Sequence, residues 1–283
     1  MRDGSHTPPG GVGVGLTARI RGVPLFERDG DAYLATDLCR GPWSPESLHG
    51  GPVGALLAGA VESADSGGAD FHVARLTVEL ERLVPPHQPL TLQTVITRPG
   101  RKVQLVDATL HLNGTVVGRA RAMRIRRAVV DLPDEPLLIP EPPPTDLGTI
   151  MRSTVSGFYP GFHNEACQQR FVEGSWGEPG PVTLWIRVTV PMVDDTPLTP
   201  LQRVVSAADF GSGVSTVLSW DDYTFINPEV TVYQHRPVVG EWVGMKTKTH
   251  IGPDGIGFAE SELFDDGGRF GRSVQSLLVE RLT

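Results

Sequence analysis

The sequence lacks the features that mark several large classes of protein. It has only two cysteines in 283 residues, Cys39 and Cys167, and they form neither a CxxC motif nor a metal-ligand spacing, so neither a disulfide scaffold nor a zinc site is expected. No run of about 18 apolar residues occurs, which argues against a membrane-spanning helix. The N-terminal stretch also lacks the apolar core of a signal peptide. We therefore predict a reduced, cytoplasmic protein that holds no metal and no cofactor.

Several catalytic motifs are missing as well. The sequence has no GxSxG elbow, no GxGxxG after a strand, no Walker loop and no HExxH, which removes the enzyme classes that depend on them. The net charge of −8 argues against unspecific binding of nucleic acid. Local basic segments remain at Arg98, Arg101, Lys102 and residues 119–127; they fit either a patch for a phosphorylated cofactor or the exposed face of a strand.

A proline-rich segment near the middle of the chain indicates two domains. Residues 131–150 contain repeated prolines, which prevent regular secondary structure and favour an extended linker. Residues 1–15 are rich in glycine and proline, and we expect a flexible leader there. The predicted domains are therefore residues 16–130 and 151–283.

The two halves contain an internal repeat. Residues 76–127 align with residues 230–280 without gaps, so that Thr77 matches Thr231. Both segments alternate polar and apolar residues, as in LTLQTVIT and VGMKTKTH, which is typical of half-buried antiparallel strands. Glycine, asparagine, aspartate and proline separate these strands, as hairpins require.

Each half also has a helical segment before its strands. Residues 49–63 read HGGPVGALLAGAVES, and their small side chains allow a sheet to wrap closely around the helix. The second helix is predicted over residues 199–213, where Pro200 opens the first turn and Gly211 and Gly213 close the helix.

These motifs resemble a known family. The segments that carry the resemblance are GPWSPESLHGGPVGALLAGAVE (41–62), TLWIRVTVPMVDDTPLTPLQRVVSAADFGSG (183–213), FINPEVTVYQHRPVVGEWVGM (225–245) and GIGFAESELFDDGGRFGRSVQSLLVERL (255–282). In this order they resemble the double-hotdog acyl-CoA thioesterases of the thioesterase II type. The resemblance implies an α+β fold of two tandem hotdogs, each with a central helix wrapped by a curved antiparallel sheet. It also implies an acyl-CoA substrate and a possible homodimer or higher oligomer.

The resemblance assigns catalysis to three residues of the second hotdog. By motif, the acid falls on Asp209, its partner on Asn227 and a glutamine on Gln275, and together they are expected to orient the water that attacks the thioester. The middle position is often threonine in this family, so Thr224 and Thr231 are alternatives to Asn227.

Each of the three residues also has a structural interpretation. Asp209 fits the cap of a helix end, and Asn227 fits a turn because a proline follows it. Gln275 fits a buried amide that bonds its neighbours, which avoids the free-energy cost of an unpaired polar group.

The first repeat lacks the matching groups. Its helix has no carboxylate in ALLAGA, Glu62 comes near the helix end and is expected in solvent, and Arg121 aligns with Gln275. We therefore predict one active site per chain, in the second hotdog. The start of the first helix remains a candidate substrate-binding element, since its free N–H groups can bind a carbonyl oxygen.

His49, Gly50 and Gly51 form that helix start. The two glycines would let a ligand approach the backbone closely. His49 is a candidate polar wall of the substrate pocket, with a structural histidine near a helix cap as the alternative.

Three functions compete at this stage. The first is an acyl-CoA thioesterase that uses Asp209, Asn227 and Gln275. The second is a non-catalytic protein of the same fold that binds acyl-CoA or lipid. The third is a dehydratase or hydratase, which ranks last because neither helix carries an aspartate and a histidine about five residues apart.

Overall fold

The computed structural model describes residues 22–131, 148–153, 155 and 159–282. The predicted leader, residues 1–15, and most of the predicted linker, residues 131–150, lie outside this part of the chain.

The first half consists of one long helix and a set of antiparallel strands. Its elements are β1 (Phe26–Asp29), β2 (Ala32–Ala35), a 3₁₀ turn (Asp37–Cys39), α1 (Gly50–Ser63), β3 (Phe71–Leu80), β4 (Pro89–Arg98), β5 (Val103–Leu112) and β6 (Thr115–Arg126). The helix predicted from HGGPVGALLAGAVES is confirmed, with His49 as its N-cap.

The second half repeats this plan. Its elements are β7 (Thr149–Met151), a π-helical turn (Phe162–Ala166), β8 (Cys167–Glu173), β9 (Val182–Val188), α2 (Pro200–Ala208), α3 (Gly211–Val214), β10 (Tyr223–Ile226), β11 (Glu229–Gln234), β12 (Val243–Ile251), β13 (Ile256–Asp265) and β14 (Gly268–Arg281).

One continuous antiparallel sheet joins the two halves. The strand order is β1-β2-β4-β5-β6-β3-β11-β14-β13-β12-β9-β8-β7, and β10 pairs with β14. The halves meet where β3 pairs with β11, and Thr77 lies opposite Thr231 there, with their hydroxyls 3.1 Å apart. Since these two residues are also equivalent in the repeat, a pseudo-twofold axis passes between them. The fold is the α+β tandem arrangement that the sequence predicts.

The predicted match between Arg121 and Gln275 is wrong by one residue. Thr77 pairs with Arg121 across β3 and β6, whereas its equivalent Thr231 pairs with Val274 across β11 and β14. Gln275 is therefore equivalent to the buried Ala122. The slip matters because side chains alternate between the two faces of a strand; Arg121 points outward and pairs with Asp107 at 2.9 Å.

The two central helices pack against each other in opposite directions. The start of α1 lies beside the end of α2. A Cβ on Gly51 would be only 3.1 Å from the Ser206 carbonyl oxygen. Midway, a Cβ on Gly54 would be only 2.8 Å from Val205. Small residues on α1 are thus needed for the helices to approach this closely.

The start and the end of α2 are set by different residues. Thr199 and Gln202 form a reciprocal capping box and Pro200 opens the helix as predicted, a combination that satisfies first-turn N–H groups. The predicted closure by Gly211 and Gly213 is wrong. The backbone stays near the right-handed helical region after Ala208, and these glycines form the short helix α3.

Candidate active site

Asp209 is the centre of the candidate site. It follows the last residue of α2 and is 7% exposed. One carboxylate oxygen, Oδ2, lies 2.8 Å from His49 Nδ1, and the other, Oδ1, accepts a 2.7 Å hydrogen bond from Asn227 Nδ2. Residues from both halves of the chain therefore meet at this carboxylate.

His49 reaches Asp209 because it caps the neighbouring helix. As the N-cap of α1 it has extended backbone angles, and its Nδ1 accepts a 3.0 Å hydrogen bond from Gly51 N–H. The imidazole contacts the rings of Phe162 and Phe210, with centroids 5.1 and 5.2 Å away, and these two rings also contact each other. These contacts fix the orientation of the imidazole beside the carboxylate.

The short distance between His49 and Asp209 requires a proton between them. Two lone pairs would repel each other at 2.8 Å, and Nδ1 either accepts a proton or donates one, but not both. When Nδ1 carries the proton it donates to Asp209, and the Gly51 N–H loses its acceptor. When the carboxyl carries the proton, Nδ1 accepts from both groups. The pair is therefore suited to holding and moving one proton.

Gly50 and Gly51 are required by packing inside the protein. A Cβ on Gly50 would lie 2.8 and 2.9 Å from the Asp209 oxygens and 2.6 Å from Leu80. A Cβ on Gly51 would lie 2.9 Å from Phe162. The space beside the two Cα atoms is thus filled by the protein's own side chains.

Asn227 lies in the turn between β10 and β11 and links this turn to the Asp209 carboxylate by a hydrogen bond. Its Nδ2 donates to Asp209, and its carbonyl Oδ1 is a separate acceptor that can bind a water. The alternative hydroxyls lie elsewhere: Thr231 bonds at the seam with Thr77 and Glu229, and Thr224 lies opposite Glu280 in the sheet.

Gln275 supports the backbone around Asp209 and does not contact its carboxylate. Its Nε2 donates to the Asp209 carbonyl oxygen at 3.2 Å, and its Oε1 accepts from Ser212 N–H at 2.9 Å. The side chain is 1% exposed. Both bonds tie the junction between α2 and α3 to β14, as expected for the structural interpretation of this amide.

A second histidine lies near the site and stays neutral. The pKa of His163 is lowered to about 3, mainly by burial and in smaller part by the nearby His49. His163 belongs to the π-helical turn that also supplies Phe162. Above about pH 3 it therefore adds no charge beside His49.

The other end of the helix pair, where the end of α1 lies beside the start of α2, carries different residues from the Asp209 site. Gly59 there faces the Gln202 side chain, which would lie 2.4 Å from an added Cβ. Glu62 accepts a hydrogen bond from the Thr199 hydroxyl, and burial raises its pKa. The prediction that Glu62 is simply solvated is therefore wrong, because the end of α1 packs on the N-cap of α2.

The contact between His49 and Asp209 was not predicted from the sequence. The two residues are 160 positions apart in different repeats, and His49 was expected only to line the pocket. The signal that points to it is the pseudo-twofold arrangement, which places the start of each central helix beside the end of the other.

The comparisons with known proteins agree with this architecture. The model of the acyl-CoA thioesterase N-terminal domain matches residues 39–125, and that of the acyl-CoA thioesterase C-terminal domain matches residues 133–279. The chain belongs to the acyl-CoA thioesterase family. The search of curated proteins found no match to this sequence.

Solved structures show the same hotdog fold at low sequence identity. An acyl-CoA thioesterase II of Mycobacterium marinum is 17% identical with a TM-score of 0.61, over 91% of this chain and 96% of that one. A hotdog protein of Alicyclobacillus acidocaldarius is 16% identical with a TM-score of 0.70, over 91% and 96%. The tesB protein of Mycobacterium avium subspecies paratuberculosis is 16% identical with a TM-score of 0.63, over 90% and 95%.

The described residues form neither a metal-binding cluster nor a membrane-spanning helix. In the part of the chain that the structure describes, no three histidine, cysteine, aspartate or glutamate side chains group as metal ligands. No helix among the described residues is both long enough and apolar enough to cross a membrane.

Proposed function

We propose that this family member hydrolyses an acyl-CoA thioester to a free acid and CoA at the Asp209 site. The observation that supports this most directly is the pair of contacts at the carboxylate, 2.8 Å to His49 and 2.7 Å to Asn227. Thioester hydrolysis needs a base for water and donors for the oxyanion. The site offers groups for both tasks.

Asp209 is the proposed base. A carboxylate has about four acceptor positions, and the contacts with His49 and Asn227 leave room for a water to donate to Asp209. The same water can donate its second hydrogen to Asn227 Oδ1, which directs its lone pair at the thioester carbonyl. Asn227 thereby takes the orienting role for which the family often uses threonine.

The start of α1 is the proposed oxyanion site. First-turn N–H groups of a helix have no acceptor within the helix and lie at its positive end. The Gly50 N–H is one of them, on a residue whose added Cβ would lie 2.8 Å from an Asp209 oxygen. The Gly51 N–H joins it when His49 Nδ1 turns from acceptor to donor.

Asp209 both takes up and returns the proton that moves during the reaction. The carboxylate takes a proton as the water oxygen bonds to the carbonyl carbon. The oxyanion then collapses, the carbon–sulfur bond breaks, and the CoA thiolate takes the proton from Asp209. His49 positions the carboxylate throughout, and Gln275 positions the backbone of Asp209.

The contact between His49 and Asp209 also favours a second candidate, a dehydratase or hydratase of acyl thioesters. Such chemistry uses a histidine and an aspartate, and the fold brings them together from two helices where the sequence showed no such pair within one. A directly bonded pair works as one unit, however, whereas removal of water needs an acid and a base at separate atoms of the substrate. Hydrolysis therefore fits the geometry better.

Release of free thiol from acyl-CoAs of several chain lengths tests the proposal. We expect turnover by the wild type and a loss of about 10²–10⁴-fold in kcat for Asp209→Asn, since this is the usual contribution of general acid–base catalysis. Asp254→Asn, at an exposed turn, makes the same change of charge and is expected to keep full activity.

The other outcomes separate the competing functions. Tight binding of acyl-CoA without release of thiol would indicate the non-catalytic binding protein. Loss of enoyl absorbance from a 2-enoyl-CoA without release of thiol would indicate the hydratase. Full activity of Asp209→Asn would rule out the site.

A further inference from the structure

A groove lies at one end of the seam between β3 and β11, and Asp209 lies at the other end of this seam. It has a volume of about 920 Å³ and crosses β6, β3, β11 and β14. Its basic lining residues are His72, Arg126, Arg127, His235, Arg269 and Arg272, and no aspartate or glutamate lines it. This composition stands out in a chain of net charge −8.

The groove is separate from the candidate active site. Leu80, at one end of β3, borders Gly50 and Asp209, while His72, near the other end, lines the groove. The strand rises about 3.3 Å per residue, so these ends are about 26 Å apart. Tyr233 of the groove is 47% exposed while its neighbour Val232 is buried, so Tyr233 lies on the outer face of the sheet.

The arginines of the groove can bind an anion. Among the described residues, Arg126 has no carboxylate within ion-pair distance. Carboxylates outside the lining pair with the other three, at 3.7 Å for Arg127, 3.3 Å for Arg269 and 3.0 Å for Arg272. These exposed pairs contribute little, and a guanidinium has five donors, so donors remain for a ligand.

The surroundings of His72 agree with a positive field. Burial lowers the pKa of His72, and the charges of Arg127 and His235 lower it further, whereas the hydrogen bond to the Gln234 carbonyl and the charge of Asp70 raise it. The exposed ring of Tyr233 adds a flat apolar surface beside these charges. Cationic donors and an aromatic face therefore occur together in one groove.

We propose that this groove binds a nucleoside diphosphate. The phosphates bond the arginines of β6 and β14, which have two strands between them and are thus about 14 Å apart across the sheet. The base stacks on the exposed ring of Tyr233. This ligand is independent of the thioester proposed at Asp209.

Isothermal titration calorimetry of the full chain with ADP, pyrophosphate and adenosine tests the proposal. We expect saturable binding of ADP, weaker binding of pyrophosphate and the weakest binding of adenosine, with affinity for ADP falling as salt rises. Arg126→Ala and Arg272→Ala should each weaken ADP about tenfold, as for the loss of a charged hydrogen bond. Tyr233→Ala should weaken ADP and leave pyrophosphate unchanged.

Arg281→Ala is the matched control. It removes the same charge from the same strand, at the end far from the groove, and should not change the affinity for ADP. Absence of ADP binding, or binding that both arginine variants leave unchanged, would overturn the proposal. Equal affinities for ADP and pyrophosphate would overturn the assignment of a nucleotide. The thiol-release rate of Arg272→Ala should equal that of the wild type, which separates this test from that of the active site.

Discussion

At the scale of single residues, the candidate site depends on glycines, which have no side chain, as much as on polar residues. Asp209 can lie against the start of α1 only because residue 50 has no Cβ, since an added carbon would be 2.8 Å from a carboxylate oxygen. The sequence did point to these glycines, but it suggested a ligand as the reason. The true neighbour is 159 positions away in the other repeat, and local patterns in a sequence do not show such contacts.

Gly50→Ala is therefore expected to displace the Asp209 carboxylate. A shift of about 1 Å can lower a catalytic rate about 10²-fold, so we expect a loss of that order in kcat with the fold retained. Gly213→Ala is the matched control, because its added Cβ would meet no atom within 4 Å. Thiol-release kinetics and circular dichroism of both variants provide the measurement, and wild-type kcat in Gly50→Ala would contradict the account of the packing.

At the scale of elements, the start of each central helix lies beside the end of the other. This arrangement gives one polar contact at each end of the helix pair, His49 with Asp209 and Thr199 with Glu62. The helix over residues 50–63 and the alternating strands were predictable from periodicity and from caps. The end of α2 was not, because Gly211 and Gly213 are compatible with both a helix stop and the short helix that follows.

Glu62→Gln is expected to raise stability at neutral pH. Burial raises the pKa of Glu62 above its ordinary value of 4.5, so the folded state binds more protons than the unfolded state between these two pKa values. This residue's contribution to stability therefore falls as pH rises from about 4.5 through the folded pKa. The amide keeps an acceptor for the Thr199 hydroxyl and removes this pH-dependent cost.

Thermal unfolding from pH 4 to pH 8 measures this effect. The Tm of Glu62→Gln should exceed that of the wild type at pH 8, and the difference should shrink towards pH 4. Glu46→Gln, at an exposed position, should follow the wild type throughout. A difference in Tm that does not depend on pH would contradict the assignment to Glu62.

At the scale of the whole molecule, the pairing of β3 with β11 turns two repeats into one sheet. The repeat and its register at Thr77 were predictable, because the two segments align without gaps. The one-residue slip at Gln275 was not, since the irregularity between Val73 and Arg75 in the pairing of β3 with β6 has no sequence signature. The oligomeric state of the chain remains a prediction.

A chain ending at residue 131 is expected to associate with itself. It would retain β3 as an edge strand without its partner β11, and such an edge pairs readily with another chain. Size-exclusion chromatography with light scattering should show dimers or larger species. A stable, folded monomer would contradict the view that the two halves require each other.

The central claim is that one residue from each half, His49 and Asp209, act as a single catalytic unit. A double-mutant cycle of His49→Ala and Asp209→Asn, followed by thiol release from acyl-CoA, tests it most directly. If the two act together, the double variant should be about as slow as the slower single variant, as for residues that function as a unit. Losses in kcat/KM that multiply in the double variant would show that His49 and Asp209 act independently, and would contradict the account.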